Sequence, residues 1–317
     1  MQIIEHMKIL VAYDGSEYAE AALHDLKRAG LGSEVDVVVM TLADVFVPPP
    51  IDETIDNTFP MYVPDGVKRA HERAQQKLEE ARGLAERASK EIRSLFPAWH
   101  VSYEAEADSP AWALIRKADE WKPDLIVIGA RGLSVFGGRL ILGSVSQRVV
   151  YEARCSVRIA RGSYRTGDKP IRILVGVDNS SDSKAALDAV CERQWSNGTE
   201  VGVLAVVDTV MAITSDSSGE VKWIEVAKEE NWHQVREIFE PALERLRSAG
   251  LHAEVLIRRG APADQILQEA YTWDADCIFV GAKGIRGIDR LLLGSVSSAV
   301  SARAHCSVEV VRPKPAV

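Results

Sequence analysis

The sequence predicts an α/β protein made of two repeated, doubly wound domains, each with a five-stranded parallel sheet covered by helices on both faces. Three observations carry this prediction. The two halves of the 317-residue chain repeat the same motifs in the same order. Within each half, short apolar runs alternate with segments of helical periodicity. The apolar runs are nearly continuous instead of alternating with polar residues, which is typical of parallel strands buried on both faces.

The internal repeat sets the domain organisation. Residues 8–23 (KILVAYDGSEYAEAAL) match residues 172–187 (RILVGVDNSSDSKAAL), and residues 139–146 (RLILGSVS) match residues 290–297 (RLLLGSVS). A repeat of about 150 residues is also an ordinary size for one domain. A polar, glycine-bearing stretch between the halves is the expected linker. We therefore expect a first domain, a linker and a second domain at residues 1–162, 163–170 and 171–317.

Five strands are predicted in each half. They cover residues 9–13, 35–43, 101–105, 125–128 and 157–160, and then 171–177, 201–207, 253–257, 277–280 and 308–311. Apolar residues at three- and four-residue spacing predict a long helix over 67–95. Its counterpart over 223–249 is less regular, and Pro241 predicts a kink or a new helix there. This alternation of strands and helices makes each domain Rossmann-like.

Charge and composition exclude several classes of function. The chain has 38 basic and 46 acidic residues and a net charge of −8, so we expect no nucleic-acid partner. It has no run of about 18 uncharged apolar residues and no visible signal peptide, so we expect no membrane partner and a cytoplasmic location. The four cysteines form no CxxC pair and no Cys/His spacing of a zinc site. We therefore expect reduced thiols and no bound metal.

The residues after the first and fourth strands are the candidate ligand site, because open parallel sheets bind ligands beyond the carboxyl ends of their strands. After the fourth strand, each half has two spaced glycines and then Gly-Ser-Val-Ser where a new helix begins: Gly129-x2-Gly132-x10-Gly143-Ser144 and Gly281-x2-Gly284-x9-Gly294-Ser295. A helix N-terminus favours an anion such as phosphate. Hydroxyl donors would come from Ser144, Ser146, Ser295 and Ser297. Alternatively, the glycines are ordinary turns and the first serine of each pair caps a helix.

An aspartate follows the first strand in each half. Asp14 and Asp178 would face the same crevice, where a carboxylate could accept hydrogen bonds from a ribose. Each could equally form an Asx turn or cap the helix that follows it. The sequence leaves both interpretations open.

Taken together, the segment ILVAYDGSEYAEAAL, the downstream glycine–serine signature and a closing A-x-C-S-V resemble the universal stress protein family in its tandem two-domain form. The resemblance covers nearly all of both halves. It implies that the last strand of each domain mediates pairing, so that the halves form an internal pseudo-dimer, and it leaves a further homodimer open. The signature is that of the ATP-binding branch of the family, which implies ATP, with or without Mg²⁺, as the ligand.

The resemblance also implies a role for each matching residue. Three pairs would surround the nucleoside: Asp14 and Asp178 at the ribose, Gly129 and Gly281 beside it, and Leu42 and Val206 at the adenine through their backbone. The remaining positions would hold the phosphates: Gly132, Gly143, Ser144, Val145 and Ser146 in the first half, and Gly284, Gly294, Ser295, Val296 and Ser297 in the second. The first half departs from the family pattern by one extra residue before its last glycine, which falls at residues 136–138.

Two further features beside the motif have open interpretations. Four cations could strengthen phosphate binding or remain solvated surface charges. They are Arg131, Arg139, Lys283 and Arg290. The proline-rich segment 46–65 could be a lid over the first crevice or a simple surface excursion.

Three functions remain, in order of preference. The first is a nucleotide-binding regulatory protein of stress responses, which acts with an unidentified protein partner. The second is an interaction module that binds no nucleotide and whose glycines are structural. The third is a slow ATPase. It is disfavoured because the chain has no G-x4-G-K-[ST], HExxH or G-x-S-x-G motif and its histidines are scattered, so we expect no catalytic residues.

Overall fold

A computed structural model of the chain describes residues 6–45, 65–131, 142–161, 169–178, 180–207, 211–215, 221–225, 230–284 and 293–313. The first half contains β1 (Met7–Ala12), α1 (Glu17–Asp25), β2 (Val35–Ala43), α2 (Asp65–Leu95), β3 (His100–Ala107), α3 (Pro110–Trp121), β4 (Leu125–Gly129), α4 (Ser144–Glu152) and β5 (Ser156–Ala160). Every strand predicted for this half is present, with ends that differ by about two residues or fewer. The long amphipathic helix α2 is confirmed as well.

The second half repeats this order and adds a hairpin. It contains β6 (Arg172–Val177), α5 (Ser181–Cys191), β7 (Glu200–Val207), β8 (Met211–Ser215), β9 (Val221–Glu225), α6 (Glu230–Ser248), β10 (His252–Arg259), α7 (Pro262–Thr272), β11 (Cys277–Gly281), α8 (Ser295–Arg303) and β12 (Ser307–Val311). The helix predicted from residue 223 was therefore wrong at its start, because residues 221–225 pair with 211–215 in an antiparallel hairpin. Helix α6 also continues through Pro241 instead of starting again. The buried side chains of Phe239 and Leu243 on either side hold that segment in the core.

Ten of the twelve strands in the described residues form one sheet, and β8 and β9 form a separate two-stranded sheet. The order is β3-β2-β1-β4-β5 across the first half and continues as β12-β11-β6-β7-β10 across the second. Within each half, all neighbouring strands of this large sheet are parallel, so the two five-stranded parallel sheets are confirmed. The halves meet through β5 and β12, which pair antiparallel with Ile159 opposite Val308. This pairing covers the sheet edge that each half would otherwise expose, and it is the internal pseudo-dimer that the resemblance implied.

Apolar packing differs between the two faces of the sheet. On one face, helices α3, α4, α7 and α8 cover a single core that runs across the junction and includes Leu114 and Ile266. On the other face the core is divided into one cluster under α1 and α2, and a second under α5 and α6. The space between these two clusters is occupied by charged side chains.

These buried charges join the halves. Arg158 on β5 lies directly opposite Glu309 on β12, and both are almost completely inaccessible to solvent. The Arg158 guanidinium donates to the Asp25 carboxylate at 2.5 Å and to Glu309 at 3.2 Å. Arg193 from the second half also donates to Glu309, at 2.8 Å. Buried charges are tolerated only when paired and hydrogen-bonded in this way, and here the pair of Arg158 with Glu309 crosses from one half to the other.

We predict that Arg158→Met destabilises the chain by about 3–5 kcal/mol, because it keeps most of the side-chain volume but leaves Asp25 and Glu309 short of a cation. Urea denaturation measures the change in the free energy of unfolding. The control is Arg247→Ala, which breaks an exposed pair with Glu240 and should cost less than about 1 kcal/mol. An Arg158→Met loss no larger than that of the control would contradict the structural role of the network.

The cysteines give a second prediction. Burial raises the pKa of the Cys155 thiol to about 11 and that of Cys277 to about 12, and it raises the pKa of Cys306 further. Because only the thiolate is nucleophilic, these thiols should react with iodoacetamide at about pH 8 at least ~100-fold more slowly than in the guanidinium-unfolded chain. Mass spectrometry of the alkylated peptides measures this for each cysteine. Labelling of Cys277 at equal rates in the native and unfolded chains would contradict the buried placement.

Candidate functional site

The strand order places one crevice in each half. In the first half β1 lies between β2 and β4, and in the second half β6 lies between β7 and β11. The chain therefore leaves neighbouring strands in opposite directions along the sheet, which opens a crevice beyond their carboxyl ends. Asp14 and Ala130 follow the two strands that flank the first crevice, and Asp178 and Ala282 follow those that flank the second.

Gly129 and Gly281 end the strands that flank the crevices, and both are required by packing. A Cβ at residue 281 would lie 2.5 Å from the Asp182 carbonyl carbon and 2.7 Å from the Ser183 nitrogen. A Cβ at residue 129 would lie 2.7 Å from the carbonyl group of Tyr18. Glycine therefore lets the first turn of α5 rest on the end of β11, and the first turn of α1 rest on β4. A contact of these glycines with ribose stays a prediction.

The helices that begin at the motif's last glycine have uncapped first turns. Gly143 and Gly294 are the N-caps of α4 and α8, and neither has a side chain that could accept a hydrogen bond. By contrast, Ser16 caps α1 by accepting from Ala19, and Ser180 caps α5 in the same way. Backbone N–H groups of a first turn have no partner within the helix. The first turns of α4 and α8 therefore present backbone donors and the positive end of the helix dipole.

Backbone hydrogen bonds fix these helix starts beside the strand ends. The Gly143 N–H donates to the Ala130 carbonyl at 2.9 Å, and the Gly294 N–H donates to the Ala282 carbonyl at 2.7 Å. Each helix start is thus held by the residue that directly follows the fourth strand of its half. The uncapped turns lie at the crevice in both halves.

The serines of the motif divide into two roles. Ser144 and Ser295 are exposed at the first helical position. The Ser146 hydroxyl is buried and donates to the Gly129 carbonyl at 2.7 Å, and the Ser297 hydroxyl donates to the Gly281 carbonyl at 2.5 Å. In this structure strand-end carbonyls accept the protons of both hydroxyls, and a contact of Ser146 and Ser297 with the phosphates stays a prediction. Their backbone N–H groups still belong to the uncapped turns.

Both strand-end aspartates form Asx turns. One carboxylate oxygen of Asp14 accepts from the Ser16 N–H at 3.0 Å, and the corresponding oxygen of Asp178 accepts from the Ser180 N–H at 3.1 Å. The other oxygen of Asp178 lies against Gly284, where a Cβ would be only 2.5 Å away. In the second half, the strand-one aspartate and the strand-four glycine motif therefore meet directly.

Leu42 and Val206 lie where a backbone edge becomes accessible. The last residue pairs between β1 and β2 and between β6 and β7 are Ala12 with Met40 and Val177 with Ala205. Leu42 and Val206 lie just beyond these last pairs, so β1 or β6 no longer covers one side of their backbone. On the other side Leu42 still pairs with β3, and Val206 still pairs with β10. One edge of their backbone therefore faces the crevice.

The motif cations are tethered to the neighbouring helix. The Arg131 guanidinium lies 3.5 Å from the Tyr18 hydroxyl and 5.7 Å from the centre of that ring. The Lys283 N–H donates to the Asp182 carboxylate at 3.0 Å, and its carbonyl accepts from the Ser180 hydroxyl. Both residues are partly buried at the crevice.

Several sequence predictions fall outside the described residues. These are Gly132, Arg139, Arg290, the extra residue at 136–138, residues 46–64 of the proline-rich segment, and most of the linker at 163–170.

Comparison with known proteins places the chain in a family. The model of the "Universal stress protein family" matches residues 5–161 and 171–312. Universal stress protein YxiE of Bacillus subtilis is 33% identical over 145 residues, which is 44% of this chain and 98% of that protein. Universal stress protein Rv2623 of Mycobacterium tuberculosis is 26% identical over 313 residues and covers 96% of both chains.

A solved structure shows the same fold over nearly the whole length. A universal stress protein from Archaeoglobus fulgidus superposes with a TM-score of 0.63 at 21% identity, covering 96% of this chain and 98% of that one. The fold is thus shared, over nearly the whole length, by a chain of about the same size. With a family match over each half, the chain belongs to the universal stress protein family, as a tandem of two such domains.

Proposed function

We propose that the chain binds an adenine nucleotide, ATP, in one or both crevices, and that it acts as a regulatory protein of stress responses instead of an enzyme. One observation carries this proposal. In both halves an uncapped helix N-terminus is hydrogen-bonded to the residue after the fourth strand, at the crevice where an aspartate follows the first strand. Backbone donors for phosphate and a carboxylate for ribose are the two kinds of group that recognise a nucleotide.

The residues present fit this ligand. Phosphates would be held by first-turn N–H groups at 144–146 and 295–297, with Arg131 and Lys283 nearby. The strand-end aspartates would accept from ribose hydroxyls, and the exposed backbone edges of Leu42 and Val206 would meet the adenine. Bound nucleotide would add a polyanion that the uncapped turns can neutralise, with Mg²⁺ carried by the phosphates themselves.

Unlike the first half, which has one extra residue before its last motif glycine, the second half keeps the spacing of the family pattern. There Gly284 has no side chain, and this leaves the Asp178 carboxylate in direct contact with the glycine motif. A Cβ at residue 294 would lie 3.3 Å from the Ala282 carbonyl oxygen and 3.6 Å from the Lys283 Cα, so the strand exit and the helix start lie close together. We therefore propose the second half as the primary nucleotide site and the first half as a second site.

Location and assembly belong to the same proposal. None of the helices in the described ranges is both long and apolar enough to cross a membrane. The four cysteines are free thiols, which suits the reducing cytoplasm that we propose for the protein. We also propose domain boundaries at residues 1–162 and 171–317, and output through a protein partner.

Charge placed at the helix start tests the site. Ser295→Glu leaves α8 folded, since a carboxylate at a helix N-terminus is itself favourable, but it repels the phosphates. We expect ATP affinity at the second site to fall at least about tenfold, equivalent to about 1.4 kcal/mol. Calorimetric titration of Mg-ATP into nucleotide-free protein measures this, and Ser144→Glu tests the first site in the same way. The matched control is Gln268→Glu, which adds one charge on the exposed surface of α7 and should change nothing.

Three outcomes separate the candidate functions. Unchanged affinity and stoichiometry in the double variant Ser144→Glu/Ser295→Glu would show that the nucleotide binds elsewhere. No heat of binding by the wild-type chain would favour the interaction module. Release of phosphate above the buffer rate, abolished by Asp178→Ala, would replace binding with slow hydrolysis.

A further inference from the structure

Four side chains with metal-ligating chemistry meet at the amino edge of the first-half sheet. His6 directly precedes β1, Glu34 precedes β2, Asp36 lies in β2, and His100 begins β3. Because these three strands are neighbours and parallel, their amino ends share one edge, although the residues are far apart in sequence. The edge is opposite the carboxyl ends that form the first crevice, so this cluster is separate from the proposed nucleotide site.

Both imidazoles face the same carboxylate oxygen. The Nδ1 atom of His6 lies 3.6 Å from Oδ1 of Asp36, and Nδ1 of His100 lies 3.4 Å from that atom. The two rings are stacked, with centroids 5.8 Å apart and planes within 2° of parallel. One donor atom from each of the three residues therefore falls within 4.8 Å of the other two.

This spacing matches that of ligands around a tetrahedral ion. Zinc binds histidine nitrogen and carboxylate oxygen at about 2.0–2.2 Å, which puts two ligand atoms at a tetrahedral angle about 3.4 Å apart. The separations of the two Nδ1 atoms from Asp36 are close to this value. An ion can thus be accommodated by small side-chain rotations, without a change in the strands.

Glu34 completes the arrangement from the far side of one ring. Its carboxylate lies 3.5 Å from Nε2 of His6, while Nδ1 of that ring faces Asp36. A carboxylate that accepts the proton of the outer ring nitrogen keeps the inner nitrogen unprotonated and orients the ring, as is usual around metal-ligating histidines. Glu34 is therefore a positioning residue.

We propose that His6, Asp36 and His100 bind one first-row divalent cation of the zinc class, with Glu34 orienting His6 and solvent in the fourth position. Two imidazoles and one carboxylate suit Zn²⁺ and related transition-metal ions, whereas Mg²⁺ and Ca²⁺ prefer oxygen ligands alone. The absence of a Cys/His zinc spacing predicted no bound metal, and these three ligands are far apart in the sequence. Only the sheet brings them together.

The second half supplies an internal comparison. His252 pairs with Glu200 at the register where His100 pairs with Asp36. The repeat places Pro170 where the first half has His6, so a second imidazole is missing there. Glu200 is also bound by the Arg172 guanidinium at 3.0 Å. The duplicated domain thus offers a matched position at which no ion should bind.

The test uses the full-length, untagged chain after treatment with a chelator, titrated with Zn²⁺ alone in a calorimeter near neutral pH. We expect one ion per chain. His6→Gln and His100→Gln should each lower the affinity at least about tenfold, and Glu34→Gln should lower it less. The control His252→Gln should bind as the wild type does. Circular dichroism checks that each variant is folded, which is expected because His100 is mostly exposed.

Cobalt provides a second readout of the ligand set. Co²⁺ bound by two imidazoles and a carboxylate in tetrahedral geometry should give an intense visible absorption that the double variant His6→Gln/His100→Gln lacks. Zinc should also raise the melting temperature of the wild-type chain but not of this variant, because the ion ties three strands together. No Zn²⁺ binding by the wild type, or equal binding by the double variant, would overturn the proposal and leave a surface cluster of ion pairs.

Discussion

The candidate site depends on the close contact between a strand end and the first turn of the helix after the neighbouring strand. At Gly281 the backbone of α5 comes nearer than any side chain would permit, and Gly129 allows α1 the same approach. Because α5 packs this closely, the Asx turn at Asp178 lies next to the residues that follow β11, and Gly284 contacts the Asp178 carboxylate. Gly281 thus has a structural role, and the close packing that it allows brings Asp178 and Gly284 together at the crevice.

The junction of the halves imposes a second constraint. Because β5 and β12 are antiparallel, the strands of the two halves run in opposite directions, and their carboxyl ends lie on opposite edges of the ten-stranded sheet. Each crevice is therefore built entirely from its own half. The buried charges of Arg158 and Glu309 lie between the crevices and pair across the junction of the halves. Duplication has given this chain a dimer-like sheet without the need for a second molecule.

Local signals explain what the sequence could predict. Continuous apolar runs located the strands, and the repeated glycine–serine signature located both helix starts, because each signal is confined to a few adjacent residues. Local signals could not show pairing with residues outside the segment itself. Trp223 was assigned to a helix, but its segment pairs with residues 211–215 in a hairpin. The hydrogen bond of the Ser297 hydroxyl to the Gly281 carbonyl was not predicted either. The zinc-class cluster takes its ligands from three strands, so no single strand has a sequence pattern that indicates it.

The most direct measurement is an amide NMR titration of the ¹⁵N-labelled chain with Mg-ATP. The uncapped first turn of α8 and the serine-capped first turn of α5 flank the same crevice, so they form an internal comparison. If phosphate binds where the donors are unsatisfied, the amides of residues 295–297 should shift most, and those of 181–183 should shift much less. If ATP binds but the amide signals of residues 295–297 and 144–146 do not shift, the placement of the nucleotide at the helix N-termini is contradicted.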